Sequence, residues 1–266
     1  MFRKDRADFE SKWNDMKIII EYGMLTEDKF FDKAKKFAMY ADTDGGLHTF
    51  EAYLESIKEQ QTDKDKKTVV LYASNKDAQH SYIQNAKSKG YSVLLLDSPL
   101  TSHLLQKLEQ EHENTTFARV DSDLIDNLIK KDETRVAKLS DKQKEELKTR
   151  LETIVPTEKF TLKLEDMDST EAPLVITVPE FMRRMKEMQM TGGGGMMGMG
   201  DFPDMYDLIV NANHPLASKI LDTEDAEARS SAVNQALDLA KLQQNLLHGE
   251  ELTAFIARSY EMLGNE

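Results

Sequence analysis

Apolar residues recur at helical spacing through the first sixty positions of the chain. Four of them, separated by four, three and four residues, share one helix face: Phe9, Trp13, Met16 and Ile20. Gly23 follows as the expected C-cap of this helix, and a second helix is predicted from about Thr26. An Asp-Gly-Gly break at 44–46 precedes a third amphipathic stretch. Residues 1–62 are therefore predicted to form a helical segment.

The period of the pattern changes after this segment. Continuous apolar runs at 69–72 and 93–96, and a third near 117–120, alternate with amphipathic stretches of helical spacing. Continuous runs are typical of strands that a parallel sheet buries on both faces. Strands that alternate with helices through short turns indicate βαβ units. Residues 63–135 are therefore predicted to form a small α/β subdomain with a three-stranded parallel βαβαβ sheet.

The remaining segment, 136–266, is predicted to be an α+β domain, and its tail helices predict that it is a dimerisation domain. Residues 160–165 alternate between apolar and polar, which is typical of a half-exposed strand in an antiparallel sheet, and 174–178 is the expected partner strand. A third strand is expected near 206–210. A helix that buries Leu147, Leu151 and Ile154 is predicted before these strands, and another begins at Pro179. The predicted tail helices cover about 216–221, 226–247 and 250–263. The expected fold class of the whole chain is α+β.

Charge and missing residue types exclude several kinds of function. The chain has 35 Lys and Arg against 48 Asp and Glu, a net charge of −13, which disfavours binding to nucleic acid. The absence of cysteine excludes disulfides, thiolate nucleophiles and Cys-ligated metal sites. No stretch approaches the ~18 consecutive apolar residues of a membrane span, and the N-terminal residues contain no apolar signal segment. We therefore expect a cytoplasmic protein with neither nucleic acid nor a membrane as its partner.

Catalytic motifs are missing as well. The six histidines are scattered, and the chain contains neither a GxSxG nor a GxxxxGK[ST] motif. The turn after the first strand of the α/β subdomain, Ala73–Asp77, has no glycine that would let a phosphate approach the backbone. We expect no catalytic residue, no metal site and no enzyme activity. The alternative is a nucleotide- or ligand-binding module, or a small enzyme, centred on residues 66–130, in which Asp97 is a nucleophile or metal ligand instead of a turn cap.

Methionine is concentrated in one region. Eight of the 14 methionines lie between positions 182 and 205, and three of them form a stripe at spacing three on the helix after Pro179. Thioether side chains repack around many apolar shapes, and the four glycines at 192–195 predict a flexible loop. Ordinary core packing of this helix is the alternative. We interpret the region as an adaptable binding surface of Phe181, Met182, Met185, Met188, Met190, Met196, Met197 and Met199.

The long tail helix carries two apolar stripes, and two stripes need two partners. The last helix supplies one partner through a tight hairpin at 247–249. Pairing with the same hairpin of a second copy would bury the other stripe in a two-fold symmetric four-helix bundle, whereas packing on the strands of its own domain is the alternative. We favour a homodimer whose interface consists of Val233, Leu237, Leu239, Leu242, Leu246, Leu252, Phe255, Ile256 and Leu263.

Several segments, in the same order, resemble motifs of one protein family across essentially the whole chain. They are residues 9–25 (FESKWNDMKIIIEYGML), 49–61 with 68–74 (TFEAYLESIKEQQ and TVVLYAS), 93–100 (VLLLDSPL), 181–190 (FMRRMKEMQM) and 208–221 (LIVNANHPLASKIL). The last segment is the most specific, through Asn211, Asn213, His214 and Pro215. The chain resembles the C-terminal half of the HtpG-type molecular chaperones, the bacterial members of the ninety-kilodalton heat-shock family.

This resemblance implies the end of the family's middle domain followed by its C-terminal dimerisation domain. The last two helices are then expected to form the dimer, and the Met-rich helix with its loop to bind partly unfolded client proteins. In this family ATP and Mg²⁺ bind in an N-terminal ATPase domain that has no counterpart in this chain. We therefore expect part of a larger ATP-dependent chaperone of the stress response, with no cofactor and no ATPase activity of its own.

Overall fold

A computed structural model describes residues 5–131, 135–191 and 205–264, without the side chains of 188–191. Contacts divide the chain into two compact units, which are Met1–Asp132 with Glu180–Gly200 and Glu133–Pro179 with Asp201–Glu266. The three segments expected from the sequence pattern stay a prediction.

The first unit contains a three-stranded parallel sheet surrounded by helices. Its helices are α1 (Arg6–Ser11), α2 (Trp13–Thr26), α3 (Asp28–Ala34), α4 (Phe50–Gln61), α5 (His80–Ser88), α6 (Thr101–Glu111), α7 (Ile125–Leu128) and α9 (Glu180–Thr191). Its strands are β1 (Met39–Ala41), β2 (Leu47–Thr49), β3 (Thr68–Ala73), β4 (Val93–Leu95) and β5 (Thr115–Arg119). The sheet order is β4-β3-β5, and β3 pairs in parallel with both neighbours. The predicted parallel βαβαβ sheet is confirmed.

Aromatic packing joins the N-terminal helices to this sheet. The ring of Phe50, which begins α4, stacks on Phe117 of β5 at a centroid distance of 5.6 Å. Tyr40 of β1 lies 5.4 Å from the same Phe50 ring, and all three side chains are buried. Aromatic pairs at this separation contribute to stability beyond the area they bury. The N-terminal helices and the parallel sheet therefore share one hydrophobic core.

Two features of the N-terminal region differ from the prediction. Gly23 is not a C-cap, because it lies inside α2, which continues to Thr26. A Cβ at this position would lie 2.8 Å from Cε1 of Phe30, so the glycine permits the close approach of that ring. The Asp-Gly-Gly break is the turn of the β1–β2 hairpin, in which Asp42 Oδ1 accepts hydrogen bonds from the backbone N–H groups of Asp44 and Gly46, both at 2.8 Å.

The second unit contains a three-stranded mixed sheet and four helices among its described residues. Its elements are α8 (Asp141–Glu152), β6 (Phe160–Glu165), β7 (Leu174–Thr177), β8 (Tyr206–Asn211), α10 (Pro215–Asp222), α11 (Ala226–Gln243) and α12 (Gly249–Gly264). The sheet order is β6-β8-β7, with β6 parallel and β7 antiparallel to β8.

The predicted pairing of the first two strands of this sheet is wrong. Strand β8 lies between β6 and β7, and its residues from Asp207 to Asn211 are all buried, as suits a central strand. Strand β6 alternates between its two faces, as suits an edge strand that covers the core on one side. The alternation of apolar and polar residues in β6 therefore indicated that it is an edge strand, but it did not indicate which strand it pairs with.

The core of the second unit lies between this sheet and the helices. Leu147 and Leu151 of α8 are fully buried, and they pack with Ile176 of β7 and Leu208 of β8. The start of α8 is stabilised by a capping box, in which Ser140 and Gln143 exchange side-chain to backbone hydrogen bonds. The structure thus confirms the mixed α+β fold with C-terminal helices. No helix in its described part is long and apolar enough to cross a membrane.

Candidate functional site

Helix α9, which carries the first methionines of the predicted binding surface, lies in the first unit. Its residues Glu180, Arg183, Arg184 and Glu187 are spaced i, i+3, i+4 and i+7, so they share one helix face. All four side chains bind each other or partners on the parallel sheet and α6. The helix is therefore attached through its charged face.

Arg183 is at the centre of this face and is only 7% exposed. Its guanidinium donates hydrogen bonds to Glu180 Oε1 at 2.6 Å, to Glu187 Oε1 at 2.5 Å and to the hydroxyl of Tyr72 in β3. The Tyr72 hydroxyl in turn donates to Glu180 Oε1 at 3.2 Å. The guanidinium carbon also lies 5.6 Å from the centre of the Tyr72 ring, within cation–π range. Each buried charge of this cluster has a partner of opposite sign.

Arg184 connects α9 to α6 and β5. It donates to both carboxylate oxygens of Glu109 at 2.9 and 3.2 Å, to the carbonyl oxygen of Phe117 at 2.9 Å and to Glu180 at 2.6 Å. A bidentate arginine–carboxylate pair specifies direction as well as distance. Glu187 also lies near the first unit's sheet, 3.7 Å from Arg119 of β5.

The ion pairs shift the titration of the groups they join. Burial raises the pKa of Glu180, but the charges of Arg183 and Arg184 and their hydrogen bonds outweigh burial and lower that pKa below its usual value. Burial lowers the pKa of Arg183, and the neighbouring Tyr72 and Glu180 outweigh this effect, so the pKa is raised. The pKa of Tyr72 is raised by burial and by the charge of Glu180. At neutral pH Glu180 is therefore an ionised carboxylate beside the guanidinium group of Arg183, and Tyr72 is a neutral phenol.

The apolar face of α9 points away from these ion pairs. Phe181 is 72% exposed, and Met182 and Met185 are partly exposed. The predicted binding surface is thus exposed at Phe181 and half-buried at Met182 and Met185. Met188 and Met190 lie on α9 with side chains outside the described set, and Met196, Met197 and Met199 lie outside the described residues.

The two predicted stripes of the long tail helix have different environments. Val233, Leu237 and Ala240 of α11 are buried in the core of their own unit, where α11 packs on β7. Val233 and Leu237 were expected in the dimer interface, and because they are covered within one copy of the chain, we leave them out of that surface. Leu239 and Leu242, on the other stripe, remain exposed.

Helix α12 is attached to α11 through polar contacts. Arg258 donates to Asp238 Oδ2 at 2.5 Å and to Gln235 Oε1 at 3.1 Å, and Gln235 donates to Ser259 Oγ at 3.1 Å. Lys241 of α11 lies 3.3 Å from Glu251 of α12.

No residue of α12, which is described throughout its length, is buried. Of its predicted interface residues, Ile256 and Leu263 are exposed and Leu252 and Phe255 are half-buried; Leu246, before the helix, is half-buried too. These side chains and the exposed stripe of α11 leave the hairpin with uncovered apolar surface.

Four backbone N–H groups of the turn after β3 are occupied by side-chain oxygens of the same turn. The side-chain oxygen of Gln79 accepts from the N–H groups of Ser74 and Asn75 at 2.8 and 3.0 Å, and Asn75 Oδ1 accepts from those of Asp77 and Ala78. These four amides would have to be free to bind a phosphate group.

Asp97, the candidate nucleophile or metal ligand, lines a cavity of about 340 Å³ beside α9. Its carboxylate is paired with Lys17 at 2.5 Å. Among the described residues, no three His, Asp or Glu side chains are grouped so that they could bind a metal ion. The geometry therefore gives no support to a nucleotide or metal site in residues 66–130.

The sequence pattern of α9 was interpreted only through its apolar stripe, so the charged face was missed. The signal was present in the spacing of Glu180, Arg183, Arg184 and Glu187, because charges that repeat at i, i+3, i+4 and i+7 define a face as clearly as apolar residues do. Their partners Tyr72 and Glu109 are distant in sequence and could be found only in the folded chain.

Comparison with known proteins gives one consistent family. The sequence model of the family described as Hsp90 protein matches residues 1–264. The chaperone protein HtpG of Bacteroides fragilis is 37% identical, in an alignment that covers 99% of this chain and 48% of that protein. HtpG of Bacteroides thetaiotaomicron is 36% identical, with the same coverage. HtpG of Porphyromonas gingivalis is 41% identical over 91% of this chain and 36% of the relative. The chain spans about half the length, or less, of these curated relatives.

Proposed function

This chain belongs to the Hsp90 family of chaperones, and we propose that it supplies two functions of such a chaperone, the binding of partly unfolded client proteins and dimerisation. The observation that carries the proposal is the outward apolar face of α9. A helix that docks through charges and exposes Phe181 has its apolar side available for another chain. Client proteins that expose apolar segments are the partners such a face fits.

The side chains of this face suit a partner of variable shape. Met182 and Met185 lie beside Phe181 on the same helix face, are half-buried, and have unbranched, polarizable side chains. A surface of this kind can repack around different apolar segments, which a rigid pocket of branched side chains cannot do. We propose Phe181, Met182 and Met185 as the client-contacting residues for which the structure describes side chains.

Dimerisation is proposed to use the α11–α12 hairpin. Leu239, Leu242, Ile256 and Leu263 are exposed on its two helices, and Tyr260 is exposed on α12 as well. Exposed apolar residues on both helices of a terminal hairpin favour a second hairpin as the partner, because a two-fold pairing covers the same residues in both copies.

ATP hydrolysis is not part of the function that we propose for these 266 residues. The amides of the β3–α5 turn are occupied by Gln79 and Asn75, and Asp97 is paired with Lys17. We infer that nucleotide chemistry in the whole chaperone depends on residues outside this chain.

Client binding is tested with the double variant Phe181→Ser/Met185→Ser. Truncating a contact residue of this size costs about 1 kcal/mol or more, so the Kd for reduced, carboxymethylated lactalbumin, which stays unfolded, should rise about tenfold or more. Fluorescence anisotropy of the labelled lactalbumin measures this change.

A matched control is the variant Ile18→Ser/Ile19→Ser, which removes two exposed apolar residues from α2 in the same unit. Its Kd should stay close to that of the unaltered chain. Equal losses in both variants, or no loss in the α9 variant, would argue against a client surface on α9.

A further inference from the structure

Helix α9 is oriented opposite to an ordinary amphipathic helix of a folded protein. Such helices bury the apolar stripe and expose the charged face, whereas α9 turns Glu180, Arg183, Arg184 and Glu187 towards the sheet and α6 and leaves Phe181 outside. The hydrophobic effect alone favours the reverse arrangement. Some other interaction must therefore select the observed orientation.

We propose that these four charged residues, named here the charged clamp, are positioning residues that hold α9 with its apolar face outward and so present the client-binding side chains. The inference rests on the proposed function, since it gives that surface its orientation. The clamp acts on Phe181, Met182 and Met185 through the helix backbone and need not touch the client.

The surface beneath α9 accepts only the charged face. It presents the Glu109 carboxylate, the hydroxyls of Tyr72 and Ser102, and Arg119, whose guanidinium pairs with the buried Asp121 at 2.5 and 3.0 Å. If α9 rotated by half a turn, its apolar side chains would cover these groups and leave Glu109 without Arg184. The half-buried Glu109 carboxylate would keep the hydrogen bond from the Phe117 N–H but lose its charged partner, which is destabilising.

Directional hydrogen bonds make this selection specific. Arg184 binds Glu109 in bidentate fashion and also donates to the carbonyl oxygen of Phe117, so its plane is defined by two elements of the first unit. Arg183 binds Tyr72 from the neighbouring helix position. Contacts to β3, β5 and α6 together determine both the position and the rotation of α9.

The docked state is also what keeps α9 helical. The helix has 12 residues, and isolated helices shorter than about 12–15 residues are marginally stable in water. Weakening the clamp should therefore release and unfold α9 while the hydrophobic core of the first unit stays intact. Backbone hydrogen exchange in α9 measures this release directly.

The test uses the complete chain with the variants Arg184→Glu, Glu109→Arg and the two combined. Each single variant places like charges against each other, and amide exchange in α9 should become about tenfold faster or more, since a half-buried bidentate ion pair is broken. The double variant restores an opposite pair between positions 109 and 184, so exchange should return towards that of the unaltered chain. Lys186→Glu, the same type of charge reversal at an exposed position of α9 outside the charged clamp, is the matched control and should change exchange in α9 much less.

Two further measurements keep the outcomes distinct. Exchange in β3 and β5 should be unchanged in every variant, which shows that the first unit remains folded. Lactalbumin binding should weaken in Arg184→Glu and recover in the double variant. A contact that only stabilised the first unit, without orienting α9, would leave lactalbumin binding unchanged in Arg184→Glu.

The clamp is refuted if exchange in α9 is the same in Arg184→Glu as in the unaltered chain, if Lys186→Glu has an equal effect, or if the double variant is no better than either single one. If exchange follows the expected pattern while Phe181→Ser/Met185→Ser binds lactalbumin normally, the clamp is supported and the proposed client surface on α9 fails.

Discussion

Replacing Leu239 and Ile256 with serine should dissociate the proposed dimer. Leu239 is 53% exposed on α11 and Ile256 is 43% exposed on α12, so a partner hairpin would cover about half of each side chain. Full burial of an aliphatic side chain contributes roughly 2 kcal/mol, so each half contributes about 1 kcal/mol. Two side chains in each of two subunits then amount to about 4 kcal/mol, and the dimer Kd should rise about 10³-fold.

Sedimentation velocity over a wide range of protein concentrations measures this shift. The unaltered chain should sediment as a dimer at micromolar concentration. Leu239→Ser/Ile256→Ser should sediment there as a monomer with an unchanged far-UV circular dichroism spectrum, which shows that the subunit stays folded. The control Ile18→Ser/Ile19→Ser removes two exposed apolar side chains from α2 and should remain dimeric. The reasoning would be refuted if the unaltered chain were monomeric at every concentration, or if the variant dimerised with the same Kd as the unaltered chain.

Two other predictions concern acid and nucleotide. Glu180 has a lowered pKa in the folded chain, so its contribution to the docking of α9 is complete above the usual carboxyl pKa of 4.5 and is lost as the pH falls through the lowered pKa. Hydrogen exchange across this pH range should show that α9 is released in acid, and the variant Glu180→Gln, which is docked more weakly at neutral pH, should show a smaller change. Identical acid release in both proteins would contradict this assignment. The chain alone should release no phosphate from ATP above the buffer rate, because the β3–α5 turn has its amides occupied; turnover proportional to protein concentration through successive purification steps would show that assignment to be wrong.

Much of the architecture was predictable because its signals are local. The continuous apolar runs that become β3 and β4 predicted buried parallel strands, and their order along the chain with helices between them left few topologies. The exposed second stripe of α11 was also predictable, since helical periodicity places Leu239 and Leu242 away from Val233.

The pairing of β6 shows where local signals end. Its alternation indicated one buried face, and both an antiparallel partner and a parallel one satisfy that pattern. The choice between a parallel and an antiparallel partner depended on β8, whose buried central position is a property of the assembled sheet. Gly23 is similar, because only the ring of Phe30 in the folded chain explains the need for a residue without a side chain.

The sequence identified the residues of the candidate surface on α9, but it did not determine the direction in which they face. Periodicity identifies an apolar stripe and a charged stripe on that helix, and a helix by itself can dock through either. Tertiary structure decided between them, because the partner of Arg184 is Glu109, 75 positions earlier, and the partner of Arg183 is Tyr72, 111 positions earlier. Contacts over such separations form only when the fold brings the two side chains together, and no pattern within twelve residues contains that information.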